Sequence, residues 1–425
     1  MNPGWEKRPL GELCEYQRGL TYSKGDEVDH SDNVVLRATN ISLATNLLTF
    51  NELRYINDTV VVQASKKVKK GSLLVCTASG SKSHLGKVAL IDDDYGYAFG
   101  GFMGMITPKP VLLPKYLFYA MTSNVYRDFI GDLSDGANIN NLKFDDLSKF
   151  MVSYPPLPEQ KRIVAILDEA FDGIVTVKTN AENNLRSARA IFESYLDAIF
   201  GQRDGNWDKV TLETLLERGW IESHLDGNHG SDYPRKEEFI QEGVPYISAN
   251  CLDDDRIDMS LAKYLSPARA ALLRKGIAKN NDVLFAHNAT VGPVAILQTV
   301  EEKVILGTSL TYYRCNLKHI LPEYLAHYMR SFSFKKQYTQ VMGQSTRNQV
   351  PITKQREFLH IIPPLEQQRR IIVALDGLLE NGQRLTRIYE RKLVALDALK
   401  KSLLHRAFAG ELTANKVADL IEAVA

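Results

Sequence analysis

Few residues in this chain have the type and spacing to do chemistry, and most of those candidates fail. Asp92-Asp93-Asp94 and Asp253-Asp254-Asp255 are the first candidates for metal ligands. Successive side chains on an extended chain face opposite ways, so three carboxylates in a row cannot converge on one ion, and solvated turns are expected. The nine histidines form no His-Glu-x-x-His pair. Gly80-Ser81-Lys82-Ser83 lacks the glycine that a phosphate loop puts directly before its lysine. Gly100-Gly101-Phe102-Met103-Gly104 lacks the glycine spacing of a dinucleotide loop. Cys14, Cys76, Cys251 and Cys315 are scattered, with no Cys-x-x-Cys pair, as reduced buried thiols of a cytoplasmic protein would be. Neither metal, cofactor nor catalysis is expected of this chain by itself.

The elements that remain must therefore position something other than a reaction. At 425 residues there is room for at least two domains, and 44% hydrophobic with 24% charged residues is ordinary for a soluble protein. No apolar run is long enough to span a membrane, and Trp5, Glu6, Arg8 and Glu12 interrupt any leader-like core. A net charge of +1 means that any nucleic-acid surface must concentrate its cations locally or borrow charge from a partner.

One stretch is written twice. Pro155-Pro156-Leu157-Pro158-Glu159-Gln160-Lys161-Arg162-Ile163 returns as Pro363-Pro364-Leu365-Glu366-Gln367-Gln368-Arg369-Arg370-Ile371, an offset of 208 that persists to Phe200 and Phe408. Each copy reads as a long helix opened by prolines, which fit a first turn but not a helix interior. Ile163, Leu167, Ala170, Ile174, Val177, Ala181, Asn184, Ala188, Ile191 and Tyr195 step by four and three. Ile371, Leu375, Leu378, Gly382, Leu385, Tyr389, Lys392, Leu396, Leu399 and Leu403 repeat the steps. This 3.5-residue period predicts a coiled-coil seam, with the two helices antiparallel. From Pro158 to Phe200 such a helix would be roughly 60 Å long, a spacer.

The remainder repeats more loosely. Val34–Ile41, Ser72–Cys76 and Gly86–Ile91 are short β-type runs, echoed by Val244–Asn250, Asp282–Phe285 and Gly292–Leu297. Helices are expected around Lys115–Thr122 and Asp145–Phe150, and a last strand at Phe150–Tyr154. The fold class is thus α+β, with two β-rich mixed α/β domains in tandem, 1–154 and 202–362. Long helices occupy 155–201 and 363–409, and 410–425 is a tail. Similar scaffolds with dissimilar loops suggest one fold used for two ligands.

Two divergent β-rich halves, each followed by a Pro-Pro-Leu-x-Glu-Gln-type helix, resemble the specificity subunit of type I restriction–modification systems, over essentially the whole chain. The resemblance implies a non-catalytic subunit in which each target-recognition domain reads one half of a bipartite double-stranded DNA site. It implies a coiled coil that sets the gap and docks modification (methyltransferase) subunits, which would bind S-adenosylmethionine, with restriction (endonuclease) subunits joining through them. Gly382 and Lys392 at seam positions depart from a regular pattern, and a glycine there could admit a close helix. The chain carries no Asn-Pro-Pro-aromatic methyltransferase motif of its own.

With DNA as the implied ligand, two loops per half hold the forked donors and acceptors that base edges require. The first contains Ser81, Lys82, Ser83 and His84, and its counterpart His287, Asn288 and Thr290. The second contains Asn138 and Asn141, and its counterpart Gln344, Ser345, Thr346 and Arg347. Asn140 and Asn348 are 208 apart and are expected to serve the fold instead. Lys66-Lys67, Lys69-Lys70, Arg274-Lys275 with Lys279, and Arg330 with Lys335-Lys336 are candidate phosphate contacts. The alternative is a protein-binding adaptor on a coiled-coil strut.

Overall fold

The computed structural model describes residues 4–135, 141–201, 207–229, 232–253, 255–343 and 348–412. Each half opens and closes on one antiparallel ladder. Glu6–Pro9 pairs with Met151–Tyr154, and Asp208–Thr211 pairs with Leu359–Ile362. The prolines then end the extended chain, and the long helices run over Leu157–Gly201 and Leu365–Ala409.

Inside the ladder lies a four-stranded antiparallel sheet. Its order is Cys14–Arg18, Met103–Pro108, Leu73–Cys76, Val88–Leu90 in the first half. In the second half it is Ile221–Asp226, Leu310–Cys315, Val283–Ala286, Val294–Ile296. The central strands are buried on both faces, which is why Leu73-Leu74-Val75-Cys76 reads as a continuous apolar run. Leu73 and Val75 face the helices, while Leu74 and Cys76 face a second sheet that contains Asn33–Leu36 paired in parallel with Ala98–Phe99. Val283 and Phe285, against Leu284 and Ala286, repeat that division. Helices Asn124–Asp135 and Phe332–Met342 and the strand Met103–Pro108 were not legible in the sequence. In that strand Gly104 lies against Phe144: a Cβ there would sit 2.6 Å from the ring.

The chain packs as two units, residues up to Ala181 with those from Arg391 onward, and Glu182–Glu390. Each unit therefore contains a β-rich half, the start of the helix that follows it, and the far end of the other helix. In the first unit the helix segments run antiparallel. Lys400 Nζ stands 5.2 Å from the centre of the Phe171 ring, and Lys178 pairs with Asp397 at 3.0 Å. Phe408 then closes edge-on against Tyr116, ring centres 5.3 Å apart. In the second unit Phe200 closes on Tyr324 at 5.8 Å, the same pair displaced by 208 at both positions.

The seam needs correction. Ile163, Leu167, Ile174 and Ala181 are buried and Val177 is half-buried, as expected. Beyond Ala181, Ala188 keeps its place, half-buried, but half-buried Leu185 and Phe192 and buried Leu196 replace their neighbours Asn184, Ile191 and Tyr195, and Ile191 is 60% exposed. The stripe now follows the 3.6-residue period of a straight helix, because Phe192 and Phe200 pack on the side chains of His327, Tyr324 and Tyr328 in the second half. In the other helix Leu375, Leu396 and Leu403 are buried and Ile371 and Leu399 half-buried, whereas Leu385 is exposed and Thr386 is the half-buried neighbour. A Cβ at Gly382 would meet nothing within 4 Å, so among the described residues no helix approaches closely there.

What fixes each helix to its own half is the glutamine of the repeated motif. Gln160 is fully buried: its Oε1 accepts from the Leu113 N–H at 2.8 Å, and its Nε2 donates to the Val111 and Pro155 carbonyls at 2.9 and 2.8 Å. Gln368 does the same with Leu321, His319 and Pro363 at 2.9, 2.8 and 2.8 Å. Two turns on, Asp168 accepts from Tyr119 and pairs with Lys115 at 2.7 Å, while Asp376 meets His327 at 2.9 Å. We expect Gln160→Leu or Gln368→Leu to leave three backbone groups without their partner, one of them at a buried bond, and to cost about 1–3 kcal/mol, measured by denaturant unfolding. An unchanged transition midpoint would show that the tie does not hold the helix.

Candidate nucleic-acid interface

The two loops singled out in each half are far apart in sequence, and the fold joins them. The first loop of each half leaves the end of the central sheet where Cys76 pairs with Met103 or Ala286 with Leu310, and the chain after the second loop returns to that end. The Leu142 N–H donates to the Thr77 carbonyl at 2.6 Å, and Ala78 bridges to Asn141. In the second half the Val350 N–H donates to the His287 carbonyl at 2.7 Å, and Asn288 bridges to Gln349. Gly19 crosses Gly100 beneath the first edge, and Gly227 crosses Gly307 beneath the second. A Cβ would lie 2.0 Å from Gly100 O or 2.3 Å from Gly307 C, so only glycine fits either crossing.

On the first edge Ser81, Lys82, Ser83 and Asn141 are exposed. The Ser81 and Ser83 hydroxyls are 2.9 Å apart. His84 Nδ1 lies 2.8 Å from the Lys87 ammonium, which is itself buried and donates to the Ile41 carbonyl at 2.7 Å. Burial, then the neighbouring Lys87, pushes the His84 pKa down. The ring is therefore neutral with its hydrogen on Nε2, a donor suited to a base acceptor or a phosphate oxygen.

On the second edge Thr290 is exposed and Asn288 half-buried, but His287 is buried. Its Nδ1 lies 3.0 Å from the Val350 carbonyl, so His287 supports the loop and does not present a base-reading edge. Ala289 takes a left-handed conformation (φ 64°), unusual for a residue with a Cβ. Asn348 holds it there, its Nδ2 donating to the Ala289 carbonyl at 2.7 Å and its own carbonyl accepting from the Ala289 N–H at 3.1 Å. Asn348 thus serves the fold, as expected. Asn138, Asn140, Gln344, Ser345, Thr346 and Arg347 lie outside the described residues.

The basic pairs divide. Lys275 lies at the second edge, where its backbone N–H and carbonyl bond the Asn228 side chain at 3.3 and 2.6 Å, and Arg274 beside it is exposed. Lys69 and Lys70 are at the other end of strand Leu73–Cys76 from the first edge, with Lys70 3.7 Å from Asp93, and they do not join that edge. The cations that do are Arg18, next to Gly19, and Lys66, whose Nζ donates to the Arg18 carbonyl at 2.9 Å. Lys66 is one of the sequence candidates, whereas Arg18 is not, because nothing local marks the end of the strand that it approaches. Among the described residues no group of three or more His, Cys, Asp or Glu could hold a metal ion, and no helix is long and apolar enough to cross a membrane.

A scaffold used twice, with the same backbone ties beneath two chemically different polar edges, defines a two-site recognition protein. Residues 2–186 and 224–390 match the type I restriction modification DNA specificity domain family, and the chain belongs to that family. It is 24% identical over 423 residues to the type I restriction enzyme EcoKI specificity subunit of Escherichia coli (strain K12), covering 97% of this chain and 90% of that one. It is also 24% identical over 431 residues to the StySPI specificity subunit of Salmonella potsdam, again covering 97% and 90%. The fold matches the HsdS subunit from Thermoanaerobacter tengcongensis with a TM-score of 0.60 at 20% identity, over 97% of this chain and 98% of that one. A chain solved in work on complex assembly of the type I R-M system gives a TM-score of 0.77 at 19% identity, over 97% and 99%.

Beneath the second edge lies a buried polar hub. Gln355 Oε1 accepts from the Thr311 and Tyr313 hydroxyls at 3.0 Å each and lies 3.1 Å from His224 Nε2, while Gln355 Nε2 donates to the Val350 carbonyl at 3.2 Å. Burial drives the His224 pKa down to about 4, with Arg356, His360 and His287 adding repulsion and Gln355 opposing. His360, among the rings of Tyr313, Tyr328 and Phe334, is likewise pushed to about 4 by burial. Both folded values lie below the unfolded 6.5, so protonation favours the unfolded chain. Their stability is full above about pH 6.5 and is lost as the pH falls toward 4. The first half has Tyr16, Gly104 and Leu147 where the offset of 208 would put His224 and Gln355, and the strand register Thr311. Hydrogen exchange across that range should therefore show the second half loosening first, around Leu310–Cys315 and Val350. Equal protection loss in both halves would contradict this assignment.

Proposed function

We propose that this chain is the non-catalytic, sequence-reading subunit of a type I restriction–modification complex, each half reading one part of a bipartite duplex-DNA site. The observation that carries the reading is the junction of the two loops in each half. The same backbone hydrogen bond (Leu142 to Thr77, Val350 to His287) joins segments distant in sequence and sets side by side the residues that differ between halves. Fixed geometry under variable donors and acceptors is what reading two different half-sites requires.

In this reading Ser81, Lys82, Ser83, His84 and Asn141 serve the first half-site, with Arg18 and Lys66 as phosphate contacts. Asn288 and Thr290, with Arg274 and Lys275, serve the second. The long helices act as a coiled-coil strut that sets the gap and docks modification subunits in the cytoplasm. Those subunits bring S-adenosylmethionine and the methyl-transfer chemistry, and restriction subunits join through them. Near-neutral net charge fits a reader that depends on partners for part of its phosphate attraction.

The test is methylation of random-sequence duplexes by this chain co-purified with its modification subunits, with S-adenosylmethionine supplied. We expect marks on one two-part motif with a fixed gap. Exchanging residues 1–154 for those of a relative should change one half of the motif, and one heptad added to both helices should lengthen the gap alone. Failure to co-purify, with no sequence-selective methylation, would favour a protein-binding adaptor; an unaltered gap would remove the ruler.

A further inference from the structure

Phe102 is 73% exposed. A single apolar side chain on a surface needs no explanation, so the argument rests on where this one stands. Its carbonyl accepts from the Thr77 N–H at 2.9 Å, the Ala78 N–H at 3.1 Å and the Thr77 hydroxyl at 2.9 Å. Thr77 is the residue whose own carbonyl joins the two loops of the first edge, so the backbone of Phe102 is clamped to that junction. The Gly19–Gly100 crossing lies two residues away and leaves no slack beneath it. The ring thus projects from a fixed base on the edge that carries Ser81, Lys82 and Asn141. In the second half the corresponding backbone position is Ser309, whose carbonyl accepts from the His287 N–H at 2.9 Å. Its hydroxyl turns inward to accept from the Ala249 N–H at 2.8 Å. The two edges therefore differ in kind at this position: an apolar ring on one, an engaged hydroxyl on the other.

We propose that Phe102 is a specificity-determining residue of the first half, packing its ring against the 5-methyl group of a thymine in the half-site read there. The inference rests on the DNA-reading function proposed above. Polar side chains of the first edge suit the donors and acceptors of the major groove, whose one apolar feature is the thymine methyl. A clamped backbone lets the ring meet that methyl with only its two side-chain torsions to order. Insertion as a wedge would instead require an unstacked, kinked step, which no feature of this edge demands.

The experiment uses the chain in complex with its modification subunits. Methylated motifs define the half-site that follows residues 1–154 in the exchange, and each thymine in it is then replaced by uracil, which lacks only the methyl. We expect one replacement to weaken wild-type binding roughly four-fold, the effect of one buried methyl group. Phe102→Ala should bind the thymine duplex weaker by about the same factor and no longer distinguish uracil, while Phe102→Leu keeps the distinction. Wild-type affinity in Phe102→Ala, unchanged uracil sensitivity in it, or a half-site without an A·T pair would overturn the assignment. A wild-type complex with no sequence-selective binding would instead overturn the DNA-reading function, a result seen before any variant is made.

Discussion

A buried amide in the first turn of each long helix is the constraint on which the rest depends. Gln160 and Gln368 are fully buried, and each satisfies three backbone groups. Two of those groups belong to the loop that leads into a short helix, Pro114–Ala120 or Pro322–Arg330, and that helix supplies the tyrosine on which a distant phenylalanine closes. Glutamine suits the position because its amide offers an acceptor and two donors on one rigid plane. Glutamate could not donate, and leucine would leave all three groups unpaired. The tie thus sets the angle at which a long helix leaves its own half, and with it the face that meets the far end of the other helix.

That arrangement explains the composition of the two units. Neither half is completed by its own sequence alone: Tyr116 is covered by Phe408 and Tyr324 by Phe200. The contacts that complete a half involve residues repeated at the same offset. The loops at the recognition edges are not repeated. A domain exchanged between relatives would keep its partners for packing while carrying a different edge, which is the physical condition for modular reading of two half-sites.

The repeat made much of this legible without a structure. Strands buried on both faces announce themselves as apolar runs, and the prolines mark where each helix begins. What stayed hidden depended on long-range neighbours. Met103–Pro108 looked like part of a glycine-rich loop because Gly104 is required by Phe144, forty residues later. His287 has the side chain of a base reader, yet burial makes it a support for Val350. Lys69-Lys70 and Lys66 are nearly adjacent in sequence, but only Lys66 reaches the edge, through the Arg18 carbonyl. Ile191 follows the seam pattern, but the side chains of the second half draw Phe192 inward instead.

The floors beneath the two edges show how far the halves have diverged under one scaffold. In the second half a glutamine joins His224, Thr311, Tyr313 and the carbonyl of Val350, so the loop junction rests on neutral, hydrogen-bonded side chains. In the first half the equivalent space is filled by Tyr16, Phe144 and Leu147, with the Tyr16 and Phe144 rings 5.2 Å apart. A polar hub fixes its members by direction, whereas an aromatic floor fixes them by shape. Both hold the same backbone hydrogen bond in place. The edge above can then vary without loss of position, because its geometry is secured from below and not by the residues that would touch the ligand.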